Sequence, residues 1–450
     1  MEVFRRKIYE RMLAWKREQG GHTALLVKGA RRVGKSTIVE EFARREYETY
    51  LLIDFSTAEQ AVRDLFSQLS DMDLFFASLQ ALSGARLIRR KSVIVLDEIQ
   101  LCPAARQAVK HLVKDGRYDY IETGSLLSIK QNVRNIIIPS EETRIELHPL
   151  DFEEFLWALG QEGAMEAVRY AFGTRQPLGD AVHRKLMRQL RLYMLVGGMP
   201  QAIKAYLEAG DFVTVDQVKR NILELYADDF HKIDPAGRVS RLFYAIPSEL
   251  AHRSTRFHVG RVVKNATVAR IGGLLEDMAD SMTVNFAYNA NDPSAGFALH
   301  SDQSAFKLFL ADTGLFVTLA FMDRDSTDNE VYRKLLLDKL STDLGYVYEN
   351  LVAQMLRATG HKLFYHAFKQ TIEQDGQTKE RPYEVDFLLS EKGKICPVEV
   401  KSSGYKTHKS LDVFCAKFSQ RIAQPYVIHT KDLRRDQALV CLPTYMAGLI

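Results

Sequence analysis

An eight-residue stretch, Gly29 to Ser36, reads GARRVGKS and follows directly on an apolar run, Ala24-Leu25-Leu26-Val27, of the kind that forms a buried strand. Gly29 and Gly34 let the backbone turn tightly, so that the N–H groups of Ala30, Arg31, Arg32 and Val33 and the N-terminus of a helix near Lys35 converge on phosphate oxygens. Lys35 would reach the β- and γ-phosphates of ATP, the Ser36 hydroxyl would hold Mg²⁺, and Thr37 opens the helical stretch to Arg45. A second apolar run, Ser92 to Leu96, ends in Asp97-Glu98 and delivers two carboxylates to the C-terminal edge of a parallel sheet, where ligands of such sheets bind. Asp97 would complete the Mg²⁺ shell, and Glu98 would polarise the water that attacks the γ-phosphate. After a further short strand, Tyr118 to Glu122, either Thr123 or Ser125 would contact the γ-phosphate or its water, and either is equally suited to cap a helix.

A second group of chemical residues lies near the C-terminus. Asp386 falls on one predicted strand, Tyr383 to Leu389, and Glu399 and Lys401 lie two apart on the next, Lys394 to Lys401. The two-residue strand period puts Glu399 and Lys401 on one face and Val398 and Val400 on the other. Two carboxylates and a lysine on adjacent strands suit metal-dependent phosphodiester cleavage. Asp386 and Glu399 would bind Mg²⁺ or Mn²⁺, Lys401 would orient or activate the attacking water, and Glu349 would complete the metal shell from a helix, Asp343 to Thr359. The plainer alternative is a solvated sheet face on which Glu399 and Lys401 are ordinary salt-bridge partners. The element order αβββαβ, with further strands at His361 to Phe368 and Tyr426 to His429 and a helix at Lys409 to Phe418, favours the site.

The elements that must position these residues fall into four blocks. Residues 1–150 alternate apolar strands with helical stretches, the pattern of a parallel α/β sheet. Residues 151–235 read as helices, opened by DFEEFLWALG and interrupted at Val196-Gly197-Gly198-Met199-Pro200, a break that ends one helix and starts the next. Residues 236–320 give short helices followed by strand-like segments at Met282 to Tyr288 and Ala305 to Leu310, the spacing of a winged helix-turn-helix. Arg253, Arg256, Arg261, Lys264 and Arg270 would give it a basic face, yet Gly272-Gly273 and then Glu276 and Asp277 sit in the candidate recognition helix. Residues 321–450 carry the αβββαβ block.

Composition narrows the class. The 450 residues are enough for two to four domains, and 46% apolar with 26% charged residues is the balance of a soluble globular protein. No run approaches the roughly 20 apolar residues needed to span a bilayer, and the N-terminal MEVFRRKIYERMLAWKREQ lacks the apolar stretch of a secretory signal. A cytoplasmic location without membrane partners is therefore expected. Cys102, Cys396, Cys415 and Cys441 are widely spaced, with no pair at zinc-ligand spacing, and read as reduced structural thiols. A net charge of +4 on this length does not by itself argue for nucleic acid.

With both constellations in view, the chain resembles prokaryotic AAA-family ATPases, related to the archaeal ATPases, that join an N-terminal AAA-type domain to a C-terminal domain of unknown function with restriction-endonuclease-like motifs. The resemblance rests on GARRVGKS (29–36), VIVLDEIQ (93–100), TGS (123–125), HPLDFEEFL (148–156), GGMP (197–200), FLADTGLF (309–316), LGYVYENLV (344–352), YEVDFLL and PVEVKSS (383–403). It implies a P-loop AAA-type sheet, a helical lid, a winged-helix-like module and a C-terminal PD-(D/E)XK nuclease-like domain. It assigns ATP and Mg²⁺ to Lys35, Ser36, Asp97 and Glu98, an adenine-side role to Gly198 and Pro200, and the nuclease-type site to Glu349, Asp386, Glu399 and Lys401. No arginine finger is identifiable: Arg134 and Arg144 follow the TGS stretch, and a surface ion pair accounts for either.

The expected function is ATP binding with hydrolysis, the nucleotide state regulating a C-terminal domain that engages DNA. The competing expectation is a nucleotide-dependent switch or scaffold whose C-terminal domain only binds a partner, either protein, including a second copy of the chain, or nucleic acid. A third is a plain DNA-binding regulator acting through residues 240–285.

Overall fold

Alternation of apolar runs with amphipathic helices builds a parallel sheet from β1 (Ala24–Lys28), β2 (Thr49–Asp54), β3 (Ser92–Asp97), β4 (Asp119–Gly124) and β5 (Glu142–Glu146), in the order β2-β3-β4-β1-β5. β3 and β4 are buried along their whole length, as central strands covered on both faces must be. Phe55, Phe66, Phe75, Phe76 and Leu112 fill one side of the sheet. The sequence reading gives four strands. β5, ETRIE, pairs with β1, alone among the described strands, and is half-buried, and its charges suit an edge strand but hide it from a search for apolar runs.

The computed structural model describes residues 3–124, 141–294, 296–322, 332, 336, 344–374, 377–403 and 406–450. The chain divides into two units, Met1–His148 with Asp280–Met282, and Pro149–Ala279 with Thr283–Ile450. No helix among the described residues is long and apolar enough to cross a membrane. All four cysteines are free thiols.

The second unit opens with the helix Phe152–Ala158, started by a capping box between Asp151 and Glu154. The helices Ala164–Thr174, Asp180–Val196, Pro200–Ala209 and Phe212–Ile233 follow. Four shorter helical pieces come next, and Val268–Asp280 is kinked at Ile271, whose φ/ψ of −116/15 is not helical. The recognition helix expected there is therefore not a straight rod. Of its expected basic face, Arg261 pairs with Glu249 at 3.0 Å, and Arg270 donates to the Asn265 carbonyl at 3.2 Å.

β6 (Val284–Ala290) and β7 (Ser301–Leu310) form an antiparallel pair, but they are not a free wing. β6 also pairs in parallel with β8 (Leu363–Gln374), which continues to β9 (Gln377–Val385), giving a sheet ordered β7-β6-β8-β9. Strands from both sides of residue 320 thus share one sheet. A second sheet, β10 (Phe387–Glu391), β11 (Lys394–Val400), β12 (Tyr426–His429), β13 (Arg434–Asp436) and β14 (Leu439–Pro443), is ordered β10-β11-β12-β14-β13. Asp386, expected within a strand, instead occupies the bend where the chain leaves β9 for β10.

Candidate functional site

Parallel pairing brings the C-terminal ends of β1, β3 and β4 side by side, with Val27 opposite Thr123 and Asp54 opposite Asp97. The loop leaving β1 passes so close to the end of β5 that a Cβ on Gly29 would lie 2.4 Å from the Leu147 carbonyl oxygen. Arg32 and Gly34 adopt left-handed φ values of 69° and 93°, and helix Lys35–Glu46 begins immediately. Ala30 and Val33 are buried, while Arg31, Arg32 and Thr37 are exposed. Lys35 is only 6% exposed, and its Nζ donates to the carbonyls of Gly29 at 3.1 Å and Ala30 at 2.9 Å. Burial lowers its pKa, against the opposing pull of Glu98 and Asp97.

Ser36 Oγ donates to Asp97 Oδ1 at 2.9 Å, and Thr123 Oγ1 donates to the same oxygen. The Glu98 backbone N–H in turn donates to Thr123 Oγ1 at 3.3 Å. β4 runs on through Gly124, so Thr123 is a fully buried strand residue joined to both acidic positions rather than a helix cap. Ser125 and Arg134 lie outside the described residues. Arg144 is half-exposed and bonds Glu142 at 2.5 Å. Glu98 holds a left-handed φ of 51°, and its carboxylate accepts from Gln100 Nε2.

Two contributors escape the sequence reading. Gln100 follows Glu98 by two residues, and only the turn after β3 folds it back. Arg6 donates to the Val33 carbonyl at 3.1 Å and the His148 carbonyl at 2.6 Å, tying the phosphate loop to the segment after β5. It precedes the loop by 27 residues in sequence. An arginine just ahead of the first helix, Ile8–Gln19, carries no signal of that role.

Gly198 and Pro200 belong to the second unit. A Cβ on Gly198 would lie 2.2 Å from the Leu150 carbonyl oxygen, and the Gly198 N–H donates to Asp312 Oδ2 at 2.6 Å. Pro200 is the first residue of helix Pro200–Ala209. Asp312 also caps helix Thr313–Ala320 by accepting from the Leu315 N–H, and Gly314 packs directly on Gly197. The GGMP and ADTG motifs are therefore interlocked by close backbone approach.

The second constellation gathers at the junction of the two C-terminal sheets. Phe387 is opposite Val398 in the β10–β11 ladder, so Asp386 and Glu399 extend it by one position. The Val400 N–H donates to Asp386 Oδ2 at 2.7 Å, and Lys401 Nζ lies 2.7 Å from Glu399 Oε1. Glu349 comes from helix Gly345–Ala358. Burial raises the pKa of its carboxyl; Lys307 opposes the rise, and Asp386, Glu384 and Glu399 add to it. Glu399 is likewise raised by burial and by Asp386.

Lys307 and Glu384 are the members that sequence reasoning missed. Lys307 Nζ contacts Glu384 Oε1, and Glu384 precedes Asp386 by two residues. A lone lysine inside the apolar run Ala305-Phe306-Lys307-Leu308-Phe309 was the available signal. The donor chemistry suits Mg²⁺ or Mn²⁺, and among the described residues Glu399 Oε2 is buried without a hydrogen-bond partner. The expected cage of Glu349, Asp386 and Glu399 is nonetheless not formed: among the described residues no three His, Cys, Asp or Glu side chains converge as an ion site. Lysines already engage the cluster, Lys307 at Glu384 and Lys401 at Glu399.

Comparison with known proteins divides the chain three ways. Residues 21–156 match the family described as AAA domain, residues 187–326 match domain of unknown function DUF8612, and residues 344–445 match domain of unknown function DUF4143. No curated protein matches. Solved structures with similarity include PCH-2 of C. elegans, at 10% identity and TM-score 0.24. That match covers 44% of this chain and 56% of PCH-2, so the chain spans little more than half the length of that relative. Cdc6p from Pyrobaculum aerophilum, at 13% identity and TM-score 0.28, is matched over 75% of this chain and 96% of its own. The RuvB Holliday junction branch migration motor of Thermotoga maritima, at 13% identity and TM-score 0.27, is matched over 60% and 82%. TM-scores of this size carry no argument about activity. Residues 21–156, the stretch that matches the AAA domain family, contain the phosphate loop and the acidic strand end.

Proposed function

We propose that the chain is a Mg²⁺-dependent ATPase whose nucleotide state regulates a C-terminal, nuclease-like domain that engages DNA. The observation that carries the first half is the hydrogen-bond chain from Ser36 through Asp97 and Thr123 to the Glu98 backbone. Lys35 and the loop N–H groups would take the β- and γ-phosphates. Ser36 and Asp97 would hold Mg²⁺, which when bound neutralises charge on the transferring phosphoryl group. Glu98, held by Gln100, would orient the attacking water and accept its proton. Thr123 joins Asp97 to Glu98, so a change at the γ-phosphate would be felt at both acids.

For the second half, the support is the placement of Asp386, Glu399 and Lys401 side by side at the end of the β10–β11 ladder, with Glu349 feeling the charge of Asp386 and Glu399, residue types that suit phosphodiester hydrolysis. In that reading Asp386 and Glu399 would hold the cation and Lys401 would orient the water. A second reading, a nucleotide-dependent scaffold with an inactive C-terminal domain, draws on the pairing of Lys307 and Lys401 with the same carboxylate cluster. Nicking of supercoiled plasmid by the full chain separates the two, assayed in Mg²⁺ and in Mn²⁺ with and without ATP. The regulated-nuclease reading expects nicking that responds to ATP, is lost in Glu399→Gln, and loses its ATP response in Lys35→Ala. Absence of nicking in every condition favours the scaffold.

A further inference from the structure

We infer that the helix Asp180–Val196 and the end of β12 form a track of cations for the phosphate backbone of duplex DNA, running from Lys401 through Lys431 to Arg184, Lys185 and Arg188. The inference rests on the reading that the C-terminal domain engages DNA, and it needs neither a bound metal ion nor cleavage.

β11, β12 and β14 are parallel, so their C-terminal ends lie along one edge of the sheet. Lys401 directly follows β11, and its N–H donates to the Ile428 carbonyl at 2.8 Å. Thr430 directly follows β12, and its Oγ1 donates to the Ser402 carbonyl at 3.4 Å. The helix Asp180–Val196 is tied to the same edge by its first turn. His183 Nε2 donates to the Thr430 carbonyl at 3.2 Å, which leaves Nδ1 to accept from the Tyr445 hydroxyl at 3.0 Å. The Asp432 carboxylate accepts from the Leu178 N–H at 3.3 Å and the Gly179 N–H at 2.8 Å. The charge of Lys431, between these two anchors, acts on both His183 and His429.

His183, Leu186, Met187 and Leu190 bury one face of the helix, and the helical period leaves Arg184, Lys185 and Arg188 exposed together on the other. Lys431 is exposed as well. Among the described residues none of these four cations has a carboxylate partner, and Arg184 donates to the Asp180 carbonyl at 3.2 Å. Of the acids in the same two stretches, Asp432 serves the N–H groups, Asp436 pairs with Arg434 at 3.3 Å, and Asp180 is exposed. The basic face expected at residues 253–270 is by contrast partly spent, Arg261 on Glu249 and Arg270 on the Asn265 carbonyl. Surface cations without carboxylate partners are free to neutralise phosphates and release their counter-ions. Ammonium and guanidinium groups meet backbone phosphates, whereas single-stranded bases call for aromatic platforms, so the occupant is a duplex. At the inner end Lys401 is paired with Glu399, so the track leads to the carboxylates of the β10–β11 ladder.

The test is binding of a labelled DNA duplex by the nucleotide-free full chain in EDTA, followed by fluorescence anisotropy across a salt series. Arg188→Gln/Lys431→Gln removes two cations from the track, and Arg256→Gln/Lys264→Gln removes two exposed cations from residues 236–320. The track pair is expected to weaken binding at least about tenfold near about 0.1 M salt and to lower the log–log salt slope by roughly two, while the other pair leaves both at the wild-type level. Arg188→Lys/Lys431→Arg keeps the charge and is expected to bind as wild type does; a loss there equal to that of the Gln pair is a loss of structure and overturns the track. No loss in Arg188→Gln/Lys431→Gln, or an equal loss in the two Gln pairs, overturns it as well and leaves the DNA-engaging reading in place. Tighter binding of single-stranded DNA of the same length overturns the duplex as occupant. No duplex binding by wild type overturns the DNA-engaging reading itself, and the inference with it.

Discussion

Ser36 Oγ donates to Asp97 Oδ1 across 2.9 Å, joining the start of the helix after the phosphate loop to the end of β3. The contact pairs a hydroxyl with a carboxylate, the two ligand types a Mg²⁺ ion bridging ATP phosphates requires. Thr123 donates to the same carboxylate oxygen, so one acid organises residues from three strand ends.

Removing either partner should therefore weaken Mg²⁺·ATP more than ATP alone. Ser36→Ala and Asp97→Asn are each expected to reduce Mg²⁺-dependent nucleotide affinity about tenfold or more, the scale of a hydrogen bond to a charged group. Titration calorimetry with and without Mg²⁺ checks this. A Mg²⁺ enhancement of affinity that stays at the wild-type size in both variants contradicts the assignment.

Gly198→Ala is expected to destabilise the chain by about 3 kcal/mol, since its Cβ would fall among the Leu150 N, C and O atoms, which are backbone and have no rotamer escape. Gly173→Ala, inside helix Ala164–Thr174 with open space around the new methyl, should instead gain roughly 0.5–1 kcal/mol. Urea unfolding of the two variants reads both signs. Equal effects would show that the close approach at Leu150 is not what requires glycine.

Arg106, from helix Pro103–Asp115, is 2% exposed at its side chain and pairs with Glu122 of β4 and Glu142 of β5. Arg106→Met leaves Glu122 buried without its cation and Glu142 with only the half-exposed Arg144, and should cost roughly 3–5 kcal/mol. Replacing all three by apolar residues should recover most of that loss. A double- and triple-mutant series of unfolding free energies decides it, and a triple variant no better than Arg106→Met counts against the ion triad.

Burial, reinforced by Arg434, His183 and Lys431, pushes the His429 pKa down to about 4, and its Nδ1 accepts from the Lys431 N–H at 2.8 Å. The unfolded chain takes up a proton near pH 6.5 that the folded chain refuses until about pH 4. Stability from this residue is therefore complete above pH 6.5 and is lost as the pH falls toward 4. Between pH 7 and pH 5 the loss should be about 2 kcal/mol. His429→Asn keeps an acceptor for Lys431 without the titration, so its unfolding midpoint should fall less over that interval. Parallel curves for the two proteins would contradict the assignment.

The legible parts of the molecule were those written locally. Ala24 to Val27 and Ser92 to Leu96 announce buried parallel strands, and GARRVGKS announces the loop between strand and helix. Glu399 and Lys401 share a face by strand period alone, and their 2.7 Å contact follows from it. Long-range pairing was not legible. Lys307 reaches Glu384 from 77 residues away because β6 pairs with β8, and no local pattern encodes that ladder. β5 was hidden for the opposite reason, since the charges of an edge strand resemble those of a loop. Asp386 looked like a mid-strand residue because apolar residues flank it on both sides, whereas the chain changes sheets at that point.

ATP binding and ATP turnover, measured side by side on wild type, Lys35→Ala and Glu98→Gln in Mg²⁺, test the central claim most directly. The account predicts that Glu98→Gln binds Mg²⁺·ATP as wild type does but turns it over at least about a hundredfold more slowly, while Lys35→Ala loses binding. A wild-type rate in Glu98→Gln, or wild-type affinity in Lys35→Ala, would contradict it.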